Sequence, residues 1–145
     1  MADGPGFMLT IRTTVNGAPV SVDVDPSVPE LVMVDRRRLA QAVVNIVDNA
    51  RRYAGGVTAV DVTVRGGELV IEIDDEGPGV ALEERAAIFD RFARGTVGRQ
   101  TGSASGTGLG LALAAEHVKL HRGRIEVHGA PVGARFRICI PMVAP

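Results

Sequence analysis

Arg38-Leu-Ala-Gln-Ala-Val-Val-Asn-Ile-Val-Asp-Asn-Ala-Arg-Arg-Tyr53 is the stretch on which the fold turns. Leu39, Val43, Ile46, Val47 and Ala50 recur at intervals of three and four, the spacing of one buried helix face. Gln41, Asn45, Asp48, Asn49 and Arg52 fall on another face of the same helix. Asn45 and Asn49 are one turn apart, and a cation follows. A carboxamide offers Mg²⁺ a hard oxygen without adding charge, and a guanidinium matches phosphate oxygens. The face therefore suits a metal–phosphate site. It would serve equally well as a solvated helix surface, and the helix alone leaves both readings open.

Outward from this helix, Asp35 stands where an N-cap is needed, and Gly55-Gly56 should stop the chain's helical path. Leu31-Val-Met-Val34 reads as a short buried strand before it. Further upstream, Met8 to Val15 and Val20 to Val24 alternate around Asn16-Gly17, a hairpin signal, and Pro26 and Pro29 then interrupt the chain. Downstream, Thr58 to Arg65 and Leu69 to Asp74 flank Gly66-Gly67, a second hairpin. Leu82 to Ile88 has the length of a short helix. Arg94 to Ser105 is rich in Gly, Ser and Thr and reads as a mobile loop. Gly108 to Leu120 returns to helical spacing, and Arg124 to His128 and Ala134 to Ile140 read as closing strands. The fold class is α+β: an α/β sandwich with a mixed, mostly antiparallel sheet of about five strands on three helices.

Composition bounds the function. A length of 145 residues suits one domain with a real core. A net charge of −1 gives no pull toward nucleic acid or anionic lipid. The single cysteine, Cys139, excludes a disulfide framework and lies in an apolar run, as a core thiol would. No apolar run approaches the ~18 residues of a membrane span. Residues 1–7 read as a flexible leader and 142–145 as a tail, around one soluble cytosolic domain at 8–141.

Three further stretches carry chemistry. Asp74-Asp75-Glu76-Gly77-Pro78-Gly79 ends a strand with a carboxylate and two alternate glycines, which let backbone approach a flat ligand. A buried Asp there can accept a hydrogen bond from an exocyclic amine and select adenine over guanine; a plain acidic turn would look the same. Ser105-Gly-Thr-Gly-Leu-Gly-Leu111 opens a helix, with glycines at 106, 108 and 110. Their backbone N–H groups can converge on phosphate at a helix N-terminus, or the small residues can simply pack. The run is neither a P-loop nor a dinucleotide fingerprint. Ile88-Phe-Asp-Arg-Phe92 holds two of the four phenylalanines and reads as an apolar plug under the mobile loop, able to couple loop position to ligand.

Taken together and in this order, the four stretches resemble the catalytic ATP-binding domain of sensor histidine kinases. Asp35-x-x-Arg38-Leu39-x-Gln41-x-x-x-Asn45-x-x-x-Asn49-Ala50-x-Arg52-Tyr53 looks like the N box. Asp75-x-Gly77-x-Gly79 is similar to the G1 box, Phe89-Asp-Arg-Phe92 to the F box, and Gly106-Thr-Gly-Leu-Gly-Leu111 to the G2 box. Gly133-Ala-Arg-Phe, with Ile140-Pro141, fits the family's closing strand. The resemblance covers about residues 8 to 141.

It implies the Bergerat fold, shared with gyrase-, chaperone- and mismatch-repair-type ATPases. It implies ATP and Mg²⁺ as cofactors, the metal held through Asn49 with Asn45 assisting. Arg52 and the backbone of Thr107, Gly108, Leu109 and Gly110 would meet phosphates, Asp75 with Gly77 and Gly79 would hold adenine, and Tyr53 would stack near the base. Arg52 replaces the family's common Lys. A lid would run from about 93 to 107, with Arg94 and Arg99 as candidates for the γ-phosphate. The reaction implied is transfer of the γ-phosphate to a histidine nitrogen, with Asn45, Asn49 and Arg52 as the catalytic set. His117, His121 and His128 lie late in the chain and outside any phosphoacceptor context. The phosphoacceptor would therefore sit on a separate dimerisation domain of a homodimeric parent, which is expected to be membrane-anchored and to signal to a response regulator. This chain by itself would not autophosphorylate. Two alternatives remain: an anti-sigma-type serine kinase or other ATPase of this fold, and a module that binds ATP without transferring phosphate. Gyrase-type enzymes carry a general-base Glu four residues before the metal Asn; here that residue is Asn45, which cannot take a proton.

Overall fold

A computed structural model describes residues 9–15, 18–29, 33–90 and 109–142. Six strands form one sheet in the order β1-β2-β3-β4-β6-β5. They are β1 (Leu9–Val15), β2 (Ala18–Val24), β3 (Val57–Arg65), β4 (Glu68–Asp75), β5 (Arg124–Gly129) and β6 (Ala134–Pro141). Every pairing is antiparallel except β2 with β3, which runs parallel with Asp23 beside Asp61. A parallel pair needs a crossover, and α1 (Arg36–Tyr53) supplies it. The second helix, α2 (Gly110–Leu120), packs beside α1. The sheet thus has one strand more than the five or so expected.

Local chemistry explains the elements. The Asp35 carboxylate accepts a hydrogen bond from Arg38 N at 3.2 Å, the expected N-cap. The helix ends as Ala54 N and Gly56 N both donate to Ala50 O, with Gly55 at φ +74°. Gly66 and Gly67 both take positive φ, as the tight β3–β4 hairpin requires. Asn16-Gly17 lies outside the described residues, but Val15 pairs with Ala18 across it, the register of a two-residue loop.

One face of the sheet meets the helices. Ala42, Ile46 and Val47 of α1 and Ala114 and Val118 of α2 are buried in one cluster with Val60, Ile71, Ile73, Phe136, Ile138 and Ile140, and Ala50 is buried too. Phe89 meets Phe136 edge-on, ring centroids 6.2 Å apart, beside buried Ile88. Phe89 is thus packed on the core, while Phe92 and the loop expected to lie over the plug are outside the described residues. On the opposite face charges pair across strands: Arg135 grips Asp74 at 2.7 and 2.9 Å, and Arg137 meets Glu72 at 2.8 Å.

Two local expectations change. Leu82 to Ile88 is not one helix but two 3-10 turns, Leu82–Glu84 and Ala87–Phe89, with Leu82 75% exposed. Seven residues cannot repay helix nucleation without an apolar stripe to bury. Of the Leu31–Val34 stretch, Met33 and Val34 are irregular rather than strand and Met33 is 64% exposed, while Leu31 and Val32 lie outside the described residues. Among the described residues, no helix is long and apolar enough to cross a membrane.

Candidate functional site

The C-terminal half of α1 carries the predicted polar residues. Burial of Ala42, Ile46 and Ala50 against the core turns Asn45 and Asn49 to the half-buried flank of the helix, with Gln41 and Arg52 exposed. Gln41 Nε2 donates to Asn45 Oδ1 at 2.8 Å. Asn45 Nδ2 is shut off from solvent and has no partner among the described residues. Tyr53, half-buried, closes the helix.

The end of β4 supplies the carboxylate. Asp75 is 4% exposed, the one charged residue among the described residues that is fully buried. Its Oδ1 accepts from Gly77 N and from Ala134 N, both at 3.0 Å. No donor among the described residues reaches Oδ2. Burying a polar group is costly unless it is hydrogen-bonded, and here one oxygen takes both bonds.

Glycines bring this carboxylate to the helix. A Cβ on Gly77 would sit 2.6 Å from Ala54 Cβ and 2.7 Å from its Cα, so the loop presses directly on the end of α1. A Cβ on Gly55 would lie 3.1 Å from Glu76 Cγ. Gly133, at φ +76°, leaves no room for a side chain beside the Asp75 carbonyl and carboxylate, and Gly79, at φ +80°, approaches Gly133 O. Asp75, Gly77 and Gly79 therefore converge with the end of α1 and the turn before β6. From Ala54 back to Asn49 and Asn45 is about 8 and 14 Å along the helix axis at 1.5 Å per residue. One extended ligand with a flat end and a charged end fits that spacing.

The remaining predicted residues divide. Leu109 and Gly110 open α2, whose N-cap residue Leu109 makes no side-chain cap hydrogen bond; a helix N-terminus is where an anion is favoured. Thr107, Gly108, Arg94, Arg99 and the whole 93–107 stretch lie outside the described residues. His121 is structural: its Nε2 accepts from Asp35 N and its Nδ1 meets His117 O, both at 2.9 Å, tying the end of α2 to the start of α1. His117 sits in α2 and His128 in β5, 3.6 Å from Glu126. Sequence reasoning missed Ala54, Gly133 and Ala134 as partners of the Asp75 loop. Gly133 was visible only as a closing-strand residue, and nothing local marks a small residue that another loop will press upon.

Mg²⁺ can be tested against this set. Among the described residues no group of three or more His, Cys, Asp or Glu could hold a metal. Neutral carboxamides remain: Asn49 can offer an oxygen to the ion, while at Asn45 the unspent buried atom is Nδ2, a donor suited to the ion's anionic partner rather than to the ion. Such a set suits an ion that arrives with its own anionic oxygens and keeps several waters, as Mg²⁺ does with a nucleotide.

Residues 34–144 match the family model described as histidine kinase-, DNA gyrase B-, and HSP90-like ATPase. The chain is 39% identical over 116 residues to the sensor protein SphS of Synechococcus elongatus, covering 74% of this chain and 28% of that protein. The chain thus spans little more than a quarter of that relative's length. Among solved structures it is similar to the mycobacterial sensor histidine kinase MprB, at 32% identity and TM-score 0.64, covering 79% of this chain and 78% of that one. It is similar also to full-length ShkA in complex with AMPPNP, at 30% identity and TM-score 0.62, covering 86% of this chain and 25% of that one.

Proposed function

We propose, for a chain that belongs to the histidine kinase-, DNA gyrase B- and HSP90-like ATPase family and within it to the ATP-binding domains of sensor histidine kinases, that it binds Mg·ATP and donates the γ-phosphate to a histidine of a separate dimerisation domain. The observation that carries the reading is Asp75: buried, one oxygen saturated by two backbone N–H groups, the other without a donor among the described residues. An acceptor so held selects a ligand amine, and adenine carries one where guanine carries an oxygen. The AMPPNP bound to similar ShkA supports the same ligand class.

Each residue then has a task. Asp75 accepts from the adenine amine, Gly77 and Gly79 admit the ring's edge, and Tyr53 stacks beside it. Asn49 and Asn45 hold the metal end, and Arg52 and the N-terminus of α2 from Leu109 and Gly110 neutralise phosphate charge, with Thr107 and Gly108 completing that run. Asn49 would hold Mg²⁺, whose charge would offset that of the transferring phosphoryl group. Asn45, Asn49 and Arg52 keep the γ-phosphate in line for a nucleophile that comes from outside this chain. Asn45 stands where gyrase-type enzymes carry a general-base Glu and cannot take a proton, which favours a histidine nitrogen, already nucleophilic when neutral, over attack by water. The parent is a membrane-anchored homodimer that passes the phosphate on to a response regulator.

The test is direct. This domain, a histidine-bearing helical hairpin from a similar sensor kinase, Mg²⁺ and γ-labelled ATP are mixed, and acid-labile, base-stable label is sought on the hairpin. Label on the hairpin supports the reading. ATP binding without transfer to any of several matched hairpins overturns the kinase assignment and leaves a nucleotide-binding module.

A further inference from the structure

Three buried side-chain polar atoms lack a partner among the described residues: Asn45 Nδ2, Thr63 Oγ1 and His117 Nδ1. Thr63 is in β3 and His117 in α2; only Asn45 belongs to the polar flank of α1. A buried amide N–H without an acceptor is costly. In the structure the Asn45 carboxamide keeps that cost, with its oxygen turned to the donor that Gln41 presents. Its Nε2 donates to Asn45 Oδ1 at 2.8 Å from one helical turn before. Residues four apart on a helix are natural neighbours, and Gln41 is exposed, its side chain making no other hydrogen bond among the described residues.

We infer that Gln41 is a positioning residue: it fixes the Asn45 carboxamide with the oxygen spent on Gln41 and Nδ2 kept as the unspent donor for a phosphate oxygen of the bound nucleotide. The inference rests on the nucleotide reading above and refines it. Asn49 keeps its carbonyl for the metal, while Asn45 assists chiefly through its N–H. The two carboxamides of the stripe are then not equivalent, and the difference is set by a side chain that touches neither ligand nor metal. Gln41→Leu removes the donor at similar length on an exposed helix position, so the fold survives it.

The experiment is a double-mutant cycle read by calorimetry with AMPPNP plus Mg²⁺, and separately with adenosine. Gln41→Leu, Asn45→Ala and the double variant are compared with the parent. Loss of one positioning hydrogen bond predicts about two- to tenfold weaker AMPPNP binding for Gln41→Leu. Adenosine binding and the melting temperature stay unchanged. In the Asn45→Ala background the same substitution has no further effect, because the group it orients is gone. A general loosening of α1 would instead weaken adenosine and AMPPNP together. The inference is overturned if Gln41→Leu binds AMPPNP as tightly as the parent, if its effect persists undiminished without Asn45, or if adenosine affinity falls in parallel. A parent that binds no Mg·AMPPNP at all overturns the nucleotide reading itself, a result distinct from these.

Discussion

Asp75→Asn inverts one atom of the site and leaves its scaffold standing. Oδ1 accepts from Gly77 N and Ala134 N at 3.0 Å each. Only the oxygen of an asparagine can take both bonds, so the new carboxamide is locked with its oxygen there. The NH₂ group then occupies the place of Oδ2. An acceptor becomes a donor, facing the adenine amine, which is also a donor. The lost bond is one to a charged group, about 1.5–3 kcal/mol, so ATP binding should weaken about 10- to 150-fold. Guanine presents an acceptor where adenine presents its amine, so GTP should lose far less and the preference for ATP should narrow or vanish. The backbone bonds lose only their charge assistance, about 1 kcal/mol or less, and the melting point should fall by no more than about 4 °C. Calorimetry with AMPPNP and GMPPNP, beside a thermal scan of the apo domain, separates these effects. Unchanged ATP affinity with an intact fold would refute the adenine role of Asp75. An equal loss of both nucleotides in a folded variant would refute the locked orientation.

Asn49→Ala should abolish the gain in nucleotide affinity that Mg²⁺ brings, so that titrations with Mg²⁺ and with EDTA coincide; a persisting metal effect would place the ion elsewhere. Asp61 has a carboxyl pushed above the ordinary carboxylate range, first by burial and then by the charges of Asp23, Asp74 and Glu72. Folding therefore favours its protonated form, and its contribution to stability falls as pH rises from about 3.8 through the folded value. Asp61→Asn should accordingly stabilise at pH 7 by up to about 1 kcal/mol, with no such gain below pH 3.8, in denaturant titrations at both pH values. Arg122 holds φ +59° just past α2, where Lys119 O accepts from its own N–H. Arg122→Gly should relieve that strain and raise stability by about 1 kcal/mol, seen as a shift of the urea midpoint.

What the sequence made legible, and what it did not, follows from the range of the forces involved. The helix from Arg36 to Tyr53, its Asp35 cap, its glycine stop and the Gly66-Gly67 hairpin are local: each depends on residues within about four positions, and each stands in the structure. The Leu82 to Ile88 segment failed for the opposite reason. Its form is decided by what it packs on, and Ile88 and Phe89 are drawn down to Phe136, 47 residues ahead of Phe89, while Leu82 is left in solvent. The site divides along the same line. Asn45 and Asn49 were readable because one helix sets their spacing. The partners of Asp75 were not, since Ala134 N is 59 residues away and Ala54 meets Gly77 only across a loop. A sequence can announce a carboxylate at a strand end, but whether that carboxylate is an ordinary solvated turn or a buried acceptor depends on which backbone N–H groups fold over it. Here a glycine with no room for a side chain beside the Asp75 carboxylate makes that choice: Gly133 lets the start of β6 come close enough for Ala134 to saturate one oxygen. Selectivity for a base would then depend on a residue that never touches it.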